Sequence, residues 1–425
     1  MTTTTNNEQK KLNFSSEREQ SQACLNSAEH EKNHGRKVLN VPNLRFPEFQ
    51  GEWEKNTLGD ISEFSKDRLN SKELSCDNYV ATENMLQDYQ GIVAASKIPS
   101  STNVIKFSKG DVLLSNIRPY LKKVWYADRD GGCSADVFVF KALSACIPDF
   151  LHYVIANDRF INFAMSGTKG VKMPRGDKEQ MKTYEIGLPS IEEQKKIAKL
   201  LSLLDERITT QNKIIEDLKE LKAAIIEKVF NGKHSERLQL DNVGSYIRGL
   251  TYSSNDVVEH GSTLVMRSNN IVNGSLLDYN NNVVFVNKQM SSEQQLQNGD
   301  IVICMANGSS SLVGKSSFYD GNCHSPITVG AFCGIYRSKE PIVKWLFQTN
   351  KYRRYIWNSL QGGNGAIANL NGEDILNMSF SIPNATIKNT CVKMLTSMDS
   401  ALENNMSLYA LYTLQKQYLL RQMFI

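Results

Sequence analysis

LPSIEEQKKIAKLLSLLDERITTQNKIIEDLKELKAAIIEKVF, residues 188–230, and IPNATIKNTCVKMLTSMDSALENNMSLYALYTLQKQYLLRQMF, residues 382–424, lie 194 positions apart and decide the fold. Pro189 matches Pro383, Asp205 matches Asp399 and Phe230 matches Phe424 at that one offset. Steps of four and three from Ile197 fall on Leu201, Leu204, Ile208, Gln211, Ile215, Leu218, Lys222, Ile225 and Val229. The same steps from Cys391 fall on Leu395, Met398, Leu402, Asn405, Tyr409, Tyr412, Lys416, Leu419 and Met423. Eight of the ten positions are apolar in each copy, and the two polar interruptions are equivalent. A sustained period of about 3.5 residues is a coiled-coil seam, so the two segments are expected to be long helices packed on each other. Gln211 and Asn405 are then expected to fix the register, as buried polar seam residues can.

The chain is therefore written twice. Leu58-Gly59-Asp60-Ile61 resembles Val243-Gly244-Ser245-Tyr246, and Lys109-Gly110-Asp111-Val112 resembles Asn298-Gly299-Asp300-Ile301. The latter pair reads as a turn feeding a buried strand. Phe150 to Phe163 and Ile342 to Leu360 each read as one helix, followed by glycine-rich loops at 166–170 and 361–365. The expected fold class is α+β: two similar globules separated by two long antiparallel helices. The expected boundaries are a disordered extension over 1–40, a first globule over 41–187, a central helix over 188–232, a second globule over 233–381 and a C-terminal helix over 382–425. The extension is polar and lacks periodicity.

Composition bounds the function. The chain has 425 residues, is 40% hydrophobic and 22% charged, and carries a net charge of +4, which is compatible with nucleic acid. No apolar run reaches the ~18 residues of a membrane span, and the first residues lack the apolar core of a secretion signal, so a cytoplasmic location is expected. None of the eight cysteines forms a CxxC pair, so they read as reduced, mostly buried thiols. Cys323-His324 has no second ligand pair nearby, so no metal is expected. Gly308 to Ser316 looks like a phosphate loop but has five residues between its glycines where that cradle needs four. No amino-methyltransferase tetrad, GxGxxG fingerprint, GxSxG motif or compact carboxylate cluster occurs. The chain reads as a binding protein with no catalytic residue.

Three stretches carry a resemblance to a known family. Asn43-Leu44-Arg45-Phe46-Pro47-Glu48-Phe49 with Trp53-Glu54 and Leu58-Gly59-Asp60-Ile61 resembles the opening of the first target-recognition domain of type I restriction-modification specificity subunits. Leu188-Pro189-Ser190-Ile191-Glu192-Glu193-Gln194-Lys195-Lys196-Ile197, running into Leu204-Asp205, resembles that family's central helical region. The duplicated architecture over 41–425 is the third. The second copy departs from the pattern, with Asn389-Thr390 in the Glu-Gln region, which leaves the start of its helix open.

The resemblance implies that each globule reads one half of a split site in double-stranded DNA and that the helices set the distance between the halves. It implies two modification subunits, which hold S-adenosylmethionine and methylate adenine, docked on those helices. It also implies restriction subunits that use ATP and magnesium. This chain would bind no cofactor itself. About forty helical residues span ~60 Å, more than one ~34 Å turn of DNA.

Base-reading residues are sought on loops that follow strands. In the first half these are Ser115, Asn116, Arg118, Tyr120, Lys122, Lys123, Lys169, Lys172 and Arg175; in the second they are Arg267, Asn269, Asn307, Ser310, Lys315, Asn364 and Asn369. Arginine suits guanine, asparagine suits adenine, and lysine mostly holds phosphates. Two other readings remain at this point. A self-contained restriction and methyltransferase enzyme would need the missing motifs, and a coiled-coil scaffold without a DNA role would show no salt-dependent DNA binding.

Overall fold

A computed structural model describes residues 40–168, 170, 173–232, 236–360 and 368–425. The expected disordered extension falls almost wholly outside them. The chain divides into two compact units. One runs to Leu204 and takes in Gln415–Ile425; the other is Asp205–Leu414. These limits differ from the expected ones because each long helix contributes to both units. The start of the central helix and the end of the C-terminal helix pack into the first core, where Ile197, Leu201 and Leu204 join Leu419, Met423 and Phe424.

The central helix is Ile191–Phe230 and the C-terminal helix is Ala385–Gln422. Within the second unit, the guanidinium of Arg207 lies over Tyr412, Gln211 donates to Asn405, and Lys222 pairs with Asp399. Partner numbers fall as the central helix climbs, so the pair is antiparallel. Both expected polar interruptions of the central seam are thus partnered. Gln211 Nε2 meets Asn405 Oδ1, and Lys222 Nζ lies 2.6 Å from a buried carboxylate. Among the described residues, no helix is long and apolar enough to cross a membrane.

Two of the stretches that carry the resemblance meet in the first core. Arg45 grips Glu193 through two hydrogen bonds of 2.8 Å, and the Trp53 indole N–H donates to the same carboxylate. Glu193 is buried, and its hydrogen bond is the leading cause that raises the Arg45 pKa. Gln194, also buried, accepts from the Ile147 amide and donates to the carbonyls of Ala145 and Pro189. These two residues therefore tie the helix start to the globule. At the 194-residue offset their counterparts are Ile387 and Lys388 rather than Asn389-Thr390; Lys388 pairs with Glu340. The second helix nonetheless starts at Ala385, with the Asn384 side chain accepting from the Ile387 amide.

Each unit holds a four-stranded antiparallel sheet of matching order. In the first it is Ser62–Phe64, Val137–Ala142, Val112–Ser115, Val124–Tyr126; in the second, Gly244–Arg248, Cys333–Ser338, Ile301–Cys304, Ser316–Phe318. The Gly-Asp turns enter the central strands as expected. Gly110 and Gly299 sit at φ +92° and +91°, where a side chain would be strained. Asp111 and Asp300 then accept the amides of Ser108 and Gln297, closing each turn.

Both expected single helices are broken in two. Phe150 to Phe163 becomes Pro148–Ile155 and Asp158–Ser166, because the Asn157 side chain caps the second piece by accepting from the Arg159 amide. Ile342 to Leu360 becomes Val343–Leu346 and Asn350–Leu360, where the Thr349 hydroxyl accepts from the Tyr352 amide. In each case a short polar side chain wins the backbone against an apolar period that runs through it.

Candidate nucleic-acid interface

At the end of each central strand the chain leaves the sheet and meets a segment that precedes a short helix, Lys178–Lys182 in the first unit and Gly372–Leu376 in the second. In the first unit, Val112–Ser115 runs into Asn116, Ile117 and Arg118. Ile117 bridges to Arg175, the Arg118 amide donates to Pro174, and the Gly176 amide donates to Asn116. In the second unit, Ile301–Cys304 runs into Ala306–Asn307, which pairs antiparallel with Ala368–Asn369. Ala306 opposite Asn369 is the counterpart of Ile117 opposite Arg175. The duplication therefore reaches the two surfaces that carry the expected base-reading residues.

On the first platform the Arg175 guanidinium is exposed and lies 3.3 Å from Asp136. The Asn116 amide donates to the Asp136 carbonyl, so Asp136 belongs to the same surface. Arg118 sits at φ +51°, a conformation uncommon for a side chain of its size. Among the described residues, only four buried side-chain N or O atoms lack a hydrogen-bond partner, and Asn116 Oδ1 and Arg118 Nε are two of them. Unused hydrogen-bonding capacity is costly unless something else answers it, and here it gathers beside an exposed guanidinium. Tyr120 is exposed next to this pair.

Other expected readers of the first half serve the fold. Ser115 is buried, and its hydroxyl donates to the Ile117 carbonyl, so it faces inward instead of toward bases. The Lys122 ammonium pairs with Asp158 at 2.8 Å, and that of Lys123 donates to the Thr82 carbonyl at 2.7 Å. Both ammoniums are committed to internal partners, which argues against them as free phosphate contacts. Lys178, which closes the basic run that starts at Lys169, lies 5.1 Å from the ring centres of Phe64 and Phe138, and burial, followed by Arg68, lowers its pKa. Lys169, Lys172 and Asn364 lie outside the described residues.

The second platform is asparagine-rich. Arg267 and Asn269 are exposed, flanking Ser268 in a turn whose Asn270 side chain accepts the Arg267 amide. Arg267 also donates to the Asn282 carbonyl. Asn307 donates from its side chain to the Ser268 hydroxyl and accepts the Ser309 amide, so it joins the two loops. Ser310 and Asn369 are exposed, whereas Lys315 is half-buried. The resemblance of Gly308 to Ser316 to a phosphate loop does not survive in shape. Ser310–Leu312 is one 3-10 turn, and the carbonyl of Gly314 accepts the Tyr352 hydroxyl. Sequence reasoning missed Asp136 and Phe332, which occupy equivalent turns; the backbone pairing that places them there leaves no signal in side-chain pattern.

Residues 50–220 match the family model described as the type I restriction modification DNA specificity domain. The chain is 33% identical over 204 residues to the type I restriction enzyme MjaVIII specificity subunit of Methanocaldococcus jannaschii, a match over 44% of this chain and 43% of that one. It is 34% identical over 158 residues to the type I restriction enzyme EcoKI specificity subunit of Escherichia coli, over 35% of this chain and 31% of that one. These matches therefore span less than half of either relative. In fold, it is similar to the crystal structure of a type I restriction-modification system S subunit from M. genitalium, with a TM-score of 0.59, 16% identity and coverage of 91% of this chain and 99% of that one.

Proposed function

We propose, because residues 50–220 match the family model of type I restriction modification DNA specificity domains, that this chain is the DNA-sequence-reading subunit of a type I restriction-modification complex. Each unit presents one platform to one half of a split site in double-stranded DNA. The observation that carries this is the repeated platform: one architecture, duplicated, with different side chains at equivalent places. Arg175 and Arg118 suit guanine in the first half; Asn307 and Asn369 suit adenine in the second. Two readers of unlike composition in one chain would recognise an asymmetric site, which an identical dimer does not.

The long helices are the spacer and the seat for partners. Leu203, Ile214, Leu221, Leu411, Leu414 and Tyr418 are exposed on them, more apolar side chain than a helix facing only water carries. Two modification subunits holding S-adenosylmethionine would dock there. Restriction subunits using ATP and magnesium would add cleavage in the cytoplasm. The chain itself contributes recognition and no catalytic group.

The test is to map methylated adenines in cells that carry the modification subunit with and without this chain. A split motif that appears only with the chain is expected. Methyl transfer by the purified chain alone would favour a self-contained enzyme. Binding to DNA that does not weaken from 50 to 200 mM salt, where a reader with several phosphate contacts loses orders of magnitude, would favour a scaffold.

A further inference from the structure

Among the described residues, the most exposed large apolar side chain is Phe332, at 66%. It is not on a loose loop. Its carbonyl accepts two amides, from Met305 at 2.9 Å and Ala306 at 3.1 Å, and Gly330 two residues earlier donates to the Met266 carbonyl at 2.8 Å. The turn is therefore pinned on both sides. One side is the end of the strand that leads into Arg267 and Asn269; the other is the start of the short ladder that carries Asn307 and Asn369. The Asn307 to Ser268 hydrogen bond joins those two sides beside it. A phenyl ring is thus held out to solvent amid hydrogen-bonding groups of the second platform. In the first unit the equivalent place is taken by Asp136, whose carbonyl likewise accepts the Asn116 amide.

Exposing a phenyl ring forgoes the favourable burial of its apolar surface, and the hydrogen bonds that order the turn do nothing to recover that. The arrangement fits a ring that is buried when DNA arrives. In the major groove the apolar feature is the thymine 5-methyl group, and asparagine beside it is suited to adenine. We propose, resting on the reading in the preceding subsection, that Phe332 reads a thymine in the half-site of the second unit by packing against its methyl group. The ring supplies the apolar half of the recognition and the neighbouring asparagines the polar half. Asp136 at the equivalent place cannot do this, so no such contact is expected at that place in the first unit.

The experiment uses the full chain assembled with its modification subunits, on duplexes carrying the motif mapped from methylated adenines. A half-site with a methylated adenine contains at least one thymine opposite it. Each thymine of either half is replaced singly by deoxyuridine, which removes only the methyl. For the wild type, one replacement in the second half-site is expected to weaken binding about fivefold, the effect of roughly 1 kcal/mol. Phe332→Ala should bind the thymine and deoxyuridine duplexes equally, at the weakened level. Phe332→Leu should retain part of the preference. Replacements in the first half-site should affect Phe332→Ala and wild type alike.

If Phe332→Ala keeps the full preference for thymine, the proposal is overturned. It is also overturned if the wild type shows no thymine preference and Phe332→Ala weakens all duplexes alike, which would mark a wedge that ignores sequence. Either result leaves sequence-specific binding intact and so spares the proposed function. The absence of any methylated motif overturns both. Phe332 is exposed, so an unchanged melting temperature for its variants confirms that folding is not the cause.

Discussion

The two units repeat a scaffold and differ where they meet solvent. The main four-stranded sheets share their order strand for strand. The Gly-Asp turns share their left-handed glycines. Each core also seats an indole N–H on a buried carboxylate at 3.2 Å, though from non-equivalent positions: Trp53 on Glu193 in one and Trp345 on Asp399 in the other. On the platforms the backbone pairing is kept but the side chains are not. Arg118 faces the role of Asn307, Arg175 that of Asn369, and Asp136 that of Phe332. Constancy inside with change outside is what a duplicated reader needs if its halves are to read different bases from the same geometry.

The smaller sheets also differ. In the first unit the order is Arg68–Asn70, Asn103–Phe107, Gly131–Cys133, Tyr79–Val80; in the second it is Val257–Val258, Val284–Val286, Thr263–Met266, Ile327–Val329. The parallel pair at the end is kept, but its two members are exchanged. Asn103–Phe107 pairs with Gly131–Cys133, whereas its counterpart Val284–Val286 pairs with Thr263–Met266. Gly131 and Gly132 allow close approach there, since a Cβ on Gly131 would fall 2.6 Å from the Phe107 ring and one on Gly132 2.7 Å from the Val104 side chain. Ile327 and Thr328 hold those places in the second unit and cannot approach in that way.

The largest effect that would sharpen the comparison concerns the buried charges. Asp399 receives Lys222 at 2.6 Å, Lys344 at 2.8 Å and the Trp345 indole, and both Asp399 and Lys222 are buried. Asp399→Ala leaves a buried ammonium unpaired, and a loss of ~3–5 kcal/mol is expected in chemical denaturation. Asp399→Asn, which keeps an acceptor for the indole, should lose less. A loss below ~1 kcal/mol for the alanine variant would show that the cluster contributes little to the second unit.

Next come the platforms. Arg175→Ala is expected to relax discrimination only in the half-site read by the first unit, and Asn369→Ala only in the other, each by ~1–3 kcal/mol at one base pair. Binding selections from randomised duplexes would show it. If either variant blurred both halves equally, the platforms would not be independent readers.

The smallest effects compare the two Gly-Asp turns. Asp300 is bound by Arg337 through contacts of 2.8 and 2.6 Å, so Asp300→Asn should cost ~2 kcal/mol. Burial, opposed by the Ser108 amide, pushes the Asp111 carboxyl above the usual carboxylate range. Its protonated form is favoured in the fold, so the protein loses stability as pH rises through that folded-state value. Asp111→Asn, which does not titrate and keeps an acceptor for Ser108, should equal the wild type near pH ~4 and exceed it at neutral pH. Melting curves across that range check the sign; a variant less stable than wild type at neutral pH would contradict it.

Much of this was legible in residue order. The period of the long helices, the polar interruptions at Gln211 and Lys222 and the Gly-Asp turns all act locally or through repetition. Arg45, Trp53 and Glu193 were visible as family motifs, though their meeting was not. What escaped depends on backbone pairing. Asn157 and Thr349 break helices by capping, against an apolar period that favours continuation. Ser115 is on the right loop, but its hydroxyl is taken by the Ile117 carbonyl. Lys122 and Lys123 are basic and near the platform, yet distant Asp158 and Thr82 claim them. Phe332 looks like one more core aromatic until the turn that holds it outward is known.

The central claim is that two independent readers share one chain, and a half-exchange tests it most directly. Residues 41–187 are replaced by the corresponding segment of a relative that directs methylation to a different motif, and methylated adenines are mapped in cells carrying the chimera with the modification subunit. The account predicts a hybrid motif: one half new, the other half unchanged. A motif altered in both halves, or unaltered in either, in a chimera that still supports methylation would contradict it.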